Sequence, residues 1–474
     1  MKKWPVVLIV IVILLLVGLP AGMGAWVKQS FDNEVARINA LPAYQVTVDD
    51  YRQGWFSSDV ELTIGIDPVA FGDPDDPEVQ ALLPEQVSLQ AHIDHGPVLW
   101  SKSTLGLTQL QGGFNLEKNP RLAVFSERAG VSDLVALEAY VSLAGEGQAY
   151  LTSPEFEVVP RNADEAAIDF GGLQLVSHFN LAGASFDLEG GMPYLRVESD
   201  KAAFRISNLG LAASGARVDN TRVWVGQQEI NLELLSLTAQ NADDLEMSAM
   251  RFRTDINEAE PGLIGGTIEF YADEIRTPDS VLTGLESTLA IERFDVEAID
   301  QYAGLMQSAG NQVGDPQVAQ QIVDKVEQLI LPKLLSSNPE IRWESLQFNL
   351  NDESFSGQAQ VSFAPGAEAQ ADLISSGNWR LFVNAEAHLK ASEPLTQQLM
   401  AGFMKNQLKV AVEQTGRPYT QQQIDQYADS QALVMLNMFT QQGYLQQTEQ
   451  GYQVDLDMTD GTATINGQPL PLPQ

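Results

Sequence analysis

Few of the parts that chemistry needs are present in this chain. Four histidines occur in 474 residues and cysteine is absent. Thiolate nucleophiles, disulfides, thiolate-held iron–sulfur clusters and an acylated lipoprotein cysteine are therefore excluded. His92 and His95 lie three apart within or at the end of an alternating strand pattern, so their side chains leave opposite faces and do not readily share a metal ion. His178 and His388 fall in separate strand patterns, without a second imidazole at helical ligand spacing. The spacings of zinc proteases, nucleophile elbows, phosphate loops and dinucleotide sites are missing; Gly145-Glu146-Gly147 lacks the third glycine and a strand-to-helix frame. Asp455-x-Asp457 with Asp460-Gly461 has some residues of a calcium loop, but its glycine falls one position late and the segment alternates like a hairpin. The acidic run Asp73-Pro74-Asp75-Asp76-Pro77-Glu78 reads as a solvated loop. A carboxylate pair for hydrolysis is always available in so acidic a chain, yet nothing selects one. The expectation is a non-catalytic protein without cofactor or metal, with a carboxylate hydrolase ranked last.

Charge narrows the partners. The 63 acidic and 27 basic residues give a formal charge of -36, which repels nucleic acid and anionic headgroups unless the cations cluster, and they do not. Compartment has to come from the N-terminus. Lys2 and Lys3 precede an uncharged run from Trp4 to Val27, about 36 Å long as a helix and sufficient for a bilayer core. Trp4 and Trp26 bracket it as interfacial anchors, and the two lysines place the N-terminus in the cytoplasm with the body outside. The rival reading is a cleaved signal peptide ending near Gly22-Met23-Gly24, for which the run is long.

These observations fix the elements expected to position any site. Residues 1–27 read as a transmembrane anchor and 28–42 as a short stalk helix stopping at Leu41-Pro42. From 43 to 292 a strand-rich region follows, in which Val60, Leu62, Ile64 and Ile66 take one face and Glu61, Thr63, Gly65 and Asp67 the other. The same alternation recurs at Val87 to Ile93, Thr221 to Val225, Ile230 to Leu237, Thr267 to Ala272 and Leu381 to Leu389, which implies antiparallel sheet. Glycine pairs at 112–113, 171–172, 190–191 and 265–266 suit turns. Residues 293–474 add helices. Asp315-Pro316 opens the first, with Val318, Ile322, Val326 and Leu329 as its stripe, and Pro332 ends or kinks it. Leu395, Leu399, Met400, Phe403, Met404 and Leu408 form a second stripe. The capping box Thr420-x-x-Gln423 opens a third, with Ile424, Tyr427, Ala432, Met435 and Phe439, and the bend between the two falls at Gly416-Arg417-Pro418. Strands at Tyr452 to Met458 and Thr462 to Ile465 close the chain around Asp460-Gly461. The fold class is α+β: an N-terminal transmembrane helix, a large, mainly antiparallel sheet body, and a few long amphipathic helices in the C-terminal half.

Two short segments stand out together. Tyr51-Arg52-Gln53-Gly54-Trp55-Phe56-Ser57-Ser58 is followed by Asp94-His95-Gly96-Pro97, and Gln442-Gly443-Tyr444 leads to Gly461 and Ile465-Asn466-Gly467-Gln468-Pro469-Leu470. In this order they resemble the YdgA-like family of Gram-negative bacterial proteins, a resemblance that spans the chain. It implies an inner-membrane-anchored periplasmic protein of unassigned activity. Physically, Gly54 reads as a bulge or tight turn delivering Trp55 and Phe56 onto a sheet, Arg52 as a cation covering an aromatic or pairing with an aspartate, and His95-Gly96-Pro97 as a strand terminator. Asn466-Gly467 marks a turn beyond the last strand. Arg52, Trp55, Phe56 and His95 are the candidate interaction surface. The expected role is binding or envelope maintenance with an apolar ligand, such as a lipid, or an envelope partner. The alternative is an adaptor that binds another envelope protein without ligand.

Overall fold

The alternation that opens at Tyr44 becomes an antiparallel meander in a computed structural model of the protein. The structure describes residues 23–25, 27–29, 31–33, 35–36, 38–39, 44–66, 86–162, 165–180, 182, 184–240, 242–309, 316–364, 366–369, 378–415 and 420–470, with backbone alone at 44, 242, 316, 409–415, 421 and 422. Two compact units emerge, residues 1–230 with 300–323, and residues 231–299 with 324–474.

In the first unit the strands are β1 Tyr44–Gln53, β2 Ser57–Ile66, β3 Val87–His95, β4 Val98–Leu99, β5 Thr104–Leu105, β6 Thr108–Phe114, β7 Ala136–Val141 and β8 Glu146–Ser153. They continue as β9 Phe156–Val158, β10 Ala167–Phe170, β11 Leu173–Asn180, β12 Ser185–Glu198 and β13 Ala202–Arg217. Pairing runs β1, β2, β3, β6, β7, β8, β11, β12, β13, antiparallel throughout, while β4 and β5 form a separate ribbon. Opposed residues in such a sheet share a face. Tyr51, Val60, Ala91, Gly112, Leu137, Leu151, Leu175, Gly190 and Leu211 therefore make one apolar or small row across nine strands. One residue along, Arg52, Asp59, His92, Gln111, Glu138 and Tyr150 make a mostly polar row on the other face.

The described residues from Met23 to Asn39 are helical. This segment lies on the apolar face: Val27 joins Val60 and Ile93 in a buried cluster with Phe31, Tyr51, Leu62 and Leu110 around it. A helix at Pro120–Ala129 went unread in the sequence, although Asn119 before Pro120 and Gly130 at φ 68° are ordinary start and stop signals. The Asn119 amide donates to the carbonyls of Ser88 and Asn115 and accepts from the Ser88 N–H, tying that helix to β3.

β14 Trp224–Ala239 begins in the first unit and ends in the second. The second unit then runs β15 Ala242–Glu260, β16 Leu263–Arg276, β17 Val281–Asp295, β18 Glu340–Leu350, β19 Glu353–Phe363, β20 Val383–Ala391, β21 Gln446–Thr448, β22 Gly451–Thr459, β23 Thr462–Ile465 and β24 Gln468–Leu470. The order is β15 to β20, then β22, β23, β24, with β21 also on β22. Apolar rows again cross it: Thr254, Ile268, Leu289, Trp343, Ala359, Ala387, Leu456 and Ile465 oppose one another in turn.

Several readings need correction. Of the four glycine pairs only Gly171-Gly172 connects strands; the others lie inside β6, β12 and β16. Backbone proximity is the reason. A Cβ on Gly190 would stand 2.0 Å from the Gln174 carbonyl oxygen, and one on Gly266 1.9 Å from that of Asp255. Asn466-Gly467 is a hairpin turn into β24 rather than an end, with φ 49° and 75°. β14 starts at Trp224, after the expected Thr221, and β20 at Val383, after Leu381. A Val296–Ala309 helix was missed. The Pro316–Lys325 helix passes through a π-helical turn, Val326–Ile330, before Leu331–Ser336, so the i−4 clash of Pro332 is absorbed by a wider turn instead of a stop. Leu329 in its expected stripe is exposed and Ile330 is buried, the shift in phase that an extra residue per turn produces.

The Thr420 capping box is present and opens Gln421–Gln442, opposite Glu393–Thr415. Ile424, Ala428, Ala432 and Leu436 are its buried line, while Leu399, Phe403 and Tyr427 of the expected stripes are exposed. Asp315, the 416–418 bend and the Asp73 to Glu78 loop lie outside the described residues, as does nearly all of the Trp4 to Val27 run. Among the described residues no helix is long and apolar enough to cross a membrane.

Gly190→Ala is expected to lower stability in urea unfolding by at least about 2 kcal/mol, because a backbone oxygen must move. Gly130→Ala, whose methyl meets nothing within 4 Å, is expected to cost only about 1 kcal/mol for its positive φ.

Candidate functional site

The candidate residues converge on the end of β3. Gly54 N–H donates to the Ser57 carbonyl at 2.8 Å, closing the turn from β1 to β2, and His95 N–H donates to Phe56 O at 2.7 Å. This ties the Trp55-Phe56 turn to the last residue of β3. The His95 imidazole is 0% exposed and its Nε2 lies 3.0 Å from the Oγ of Ser58, itself 1% exposed. Gly24 of the N-terminal segment covers the ring: a Cβ there would stand 2.5 Å from His95 Nδ1 and 3.1 Å from Gln53 Nε2. Only a glycine fits.

On the other face of β3, the β4–β5 ribbon folds back over Asp94 and Gln109, both buried. The Ser101 hydroxyl is within donating distance of the Asp94 carboxylate and 3.0 Å from Gln109 Oε1. Gly96 N–H donates to Leu107 O, and Gly106 N–H to Pro97 O, so the ribbon closes at the point where β3 ends, as the His95-Gly96-Pro97 terminator implies.

Three of the four candidate residues are thus brought together. Arg52 is not among them: it lies on the polar face, with Nε 3.0 Å from Asp50 Oδ2, the pairing of cation with aspartate that its sequence context allowed. Trp55 and Phe56 do not lie flat on the sheet as expected. They project from its end, 53% and 39% exposed, because Gly24 and Val27 already occupy the adjoining apolar face. Trp100, 66% exposed, extends the same corner, its ring 6.5 Å from Phe56 and perpendicular to it, and Leu105, 59% exposed, lies on the same ribbon opposite Val98. Neither Trp100 nor Leu105 was singled out in the sequence; an aromatic three residues beyond a Gly-Pro terminator was the available signal.

The chemistry of this corner is conformational. A serine at hydrogen-bond distance from an imidazole has the spacing of a nucleophile and base, but both are sealed from solvent. His95 Nδ1 has no hydrogen-bond partner, and Asp94 projects from the opposite strand face. Burial holds the His95 pKa below the ordinary 6.5, against the pull of the Trp55 backbone and Asp94. His92, on the solvent face, bonds Asp59 at 2.7 Å, so the two histidines diverge as their spacing requires. Among the described residues no cluster of His, Asp or Glu could hold a metal ion.

The second pair of signature segments makes a comparable joint. Asn466 Oδ1 accepts the Asp455 N–H at 2.9 Å, its Nδ2 donates to Tyr444 O at 2.9 Å, and Tyr444 Oη donates to Pro469 O at 3.1 Å. The Asp455 and Asp457 carboxylates sit in β22, as a hairpin demands, and Asp455 Oδ1 is 2.9 Å from His388 Nδ1. That bond and one from Gln453 hold the Asp455 pKa below the usual carboxylate range. A concavity of about 800 Å³ follows Gly171-Gly172, just before β11, and Gly190-Gly191 of β12, with Met192 and Leu209 in its wall. Another of about 320 Å³ contains Arg293 and Arg342, already paired with Glu292 and Glu340.

The joint around His95 should be acid-labile. A histidine whose folded pKa lies below its unfolded one binds fewer protons when folded, so stability is complete above about 6.5 and falls as pH drops towards the folded pKa. Thermal unfolding of the wild type should show this loss between pH 7 and pH 5, and His95→Gln should lose less over the same window. Gly24→Ala should release the N-terminal segment, seen as faster tryptic cleavage at Lys28 and Arg37, with a cost of about 1–3 kcal/mol for overpacking.

No curated protein and no solved structure matches the chain. A family model described as a bacterial protein of unknown function, DUF945, matches residues 1–473. Coverage from end to end includes both joints and both units, and the chain belongs to the DUF945 family of bacterial proteins.

Proposed function

We propose that this protein is a non-catalytic, membrane-tethered binder of apolar ligands, with acyl chains as the ligand class, that works in the periplasm of a Gram-negative cell in the manner the YdgA-like resemblance implies. One observation carries the ligand. In the second unit the apolar rows of the sheet are unevenly covered. Val383, Met458 and Ala463 are buried at one end, and Leu335 and Ala367 pack with Phe363 and Phe382 beside them. On the same face Ile341, Trp343 and Leu389 are exposed, and Phe252, Phe270, Leu289 and Leu346 are only half-buried. A sheet face normally buries its apolar rows under a second layer. Each methylene of an acyl chain laid along such a strip contributes about 0.8 kcal/mol, and no hydrogen bond is needed from the protein.

The tether rests on the sequence: the Trp4 to Gly22 part of the uncharged run, with Lys2 and Lys3 on its short side, holds the N-terminus in the cytoplasm and exports the acidic body, while Gly24 and Val27 pack on the sheet. A second reading, an adaptor for another envelope protein, is favoured by the helical hairpin, where Leu399, Phe403, Tyr427 and Val434 are exposed. Such an apolar surface suits a protein partner.

Full-length protein purified in mild detergent and extracted for mass spectrometry should release lipid. Trp343→Asp with Leu389→Asp should reduce the yield about tenfold, corresponding to about 1.4 kcal/mol. Lipid-free protein, or an unchanged yield in the double variant, overturns the ligand reading. Crosslinking in cells from a photoreactive residue at Phe403 or Val434 to one defined partner supports the adaptor instead.

A further inference from the structure

The exposed corner beside the N-terminal segment has a direction. Phe31 packs on the Tyr51 ring at 5.7 Å, Val27 enters the Val60 and Ile93 cluster, and Gly24 reaches His95 and Gln53. Moving towards the N-terminus along this segment is therefore moving along β1 from Tyr51 to Gln53, towards the Trp55-Phe56 turn. Beyond Met23 the sequence continues without a charged residue back to Trp4. The body's exposed aromatics stand beside His95, on which Gly24 of the uncharged run packs.

We propose that the Trp55-Phe56 turn and the Trp100 to Leu105 ribbon form a membrane-contacting edge, lying in the interfacial layer of the bilayer that receives the Trp4 to Gly22 part of the uncharged run. This inference rests on the tether reading given above and adds a second contact to it. Tryptophan favours this layer because its ring is apolar and its N–H stays wet. Two tryptophans, a phenylalanine and a leucine at one corner bind a surface weakly by themselves, but the tether makes the contact intramolecular, at an effective concentration near millimolar. With a formal charge of -36, the body gains nothing from anionic headgroups. Nearby cations are already paired, Arg52 with Asp50 and Lys102 with Glu138. The contact is thus one of aromatic partitioning, indifferent to lipid charge, and it sets the orientation of the first sheet against the membrane.

The absence of cysteine permits a clean test. Full-length Trp55→Cys, Trp100→Cys and, as an exposed control on the turn from β12 to β13, Lys201→Cys are each labelled with a nitroxide and reconstituted in phosphatidylcholine vesicles. Flotation is scored first, then the accessibility of each label to oxygen and to a water-soluble nickel chelate. The expected result is flotation of all three, with an oxygen-to-nickel ratio several-fold higher at 55 and 100 than at 201 and unchanged when anionic lipid is added. Flotation with all labels equally aqueous overturns the edge and leaves the tether standing. Failure to float removes the tether, and the edge with it. Labels shielded from both probes and broadened by a neighbouring spin assign the corner to a second copy and overturn the lipid contact. Circular dichroism confirms that each variant is folded, and Leu105→Cys replaces one that is not.

Discussion

Strand register is the constraint on which this molecule depends. In an antiparallel meander every opposed residue lies on the same face, so an alternation kept in nine successive strands becomes one continuous apolar surface. A slip of one residue in any pair would turn the rest of the sheet inside out. Glycines protect the register where strands crowd: at Gly190, Gly191 and Gly266 the neighbouring backbone stands where a side chain would be. The exposed edges, the helical covers and the sites proposed here all follow from how much of that surface the chain covers for itself.

The signature segments turn out to be joints. Around β3 a buried histidine, its serine and a glycine lock the N-terminal segment to the first sheet. At the C-terminus Asn466 locks a hairpin turn, a strand and the end of a helix. Asn466 uses one polar side chain to satisfy backbone groups from several elements, whereas His95 meets the Ser58 hydroxyl and otherwise joins its elements by packing, and in both joints the residues lie far apart in sequence and together in space. A buried polar group left unmatched costs about 1–3 kcal/mol, so such positions tolerate little change even without any catalytic duty. The uncharged, glycine-fitted contact of Gly24 with His95 also means that the first sheet is tied to the segment that leads into the apolar run.

Much of the architecture was legible because it is local. Alternation at Val60 to Ile66 and at Val87 to Ile93, the capping box at Thr420 and the Asp460-Gly461 turn each depend on a few neighbouring residues, and each stands where its pattern puts it. The helix at Pro120 had local signals too, but it is short and was overlooked among strands. The glycine pairs were misplaced for a different reason. Glycine favours turns through its backbone freedom and also permits close backbone approach inside a sheet, and one sequence cannot say which of the two is needed.

The sequence by itself determined the class: strand-rich, cysteine-free, acidic, lacking catalytic spacings and led by an uncharged run, because composition and period are properties of the chain before it folds. Tertiary structure alone decided which residues meet. Trp55, Phe56, Trp100 and Leu105 share a corner only because β3 ends in a ribbon that turns back beside the β1–β2 turn. Ile341, Trp343 and Leu389 share an exposed strip only because strand register sets them on one face. Burial is set by what packs against a residue from elsewhere in the chain, and that information is not carried by its neighbours in sequence.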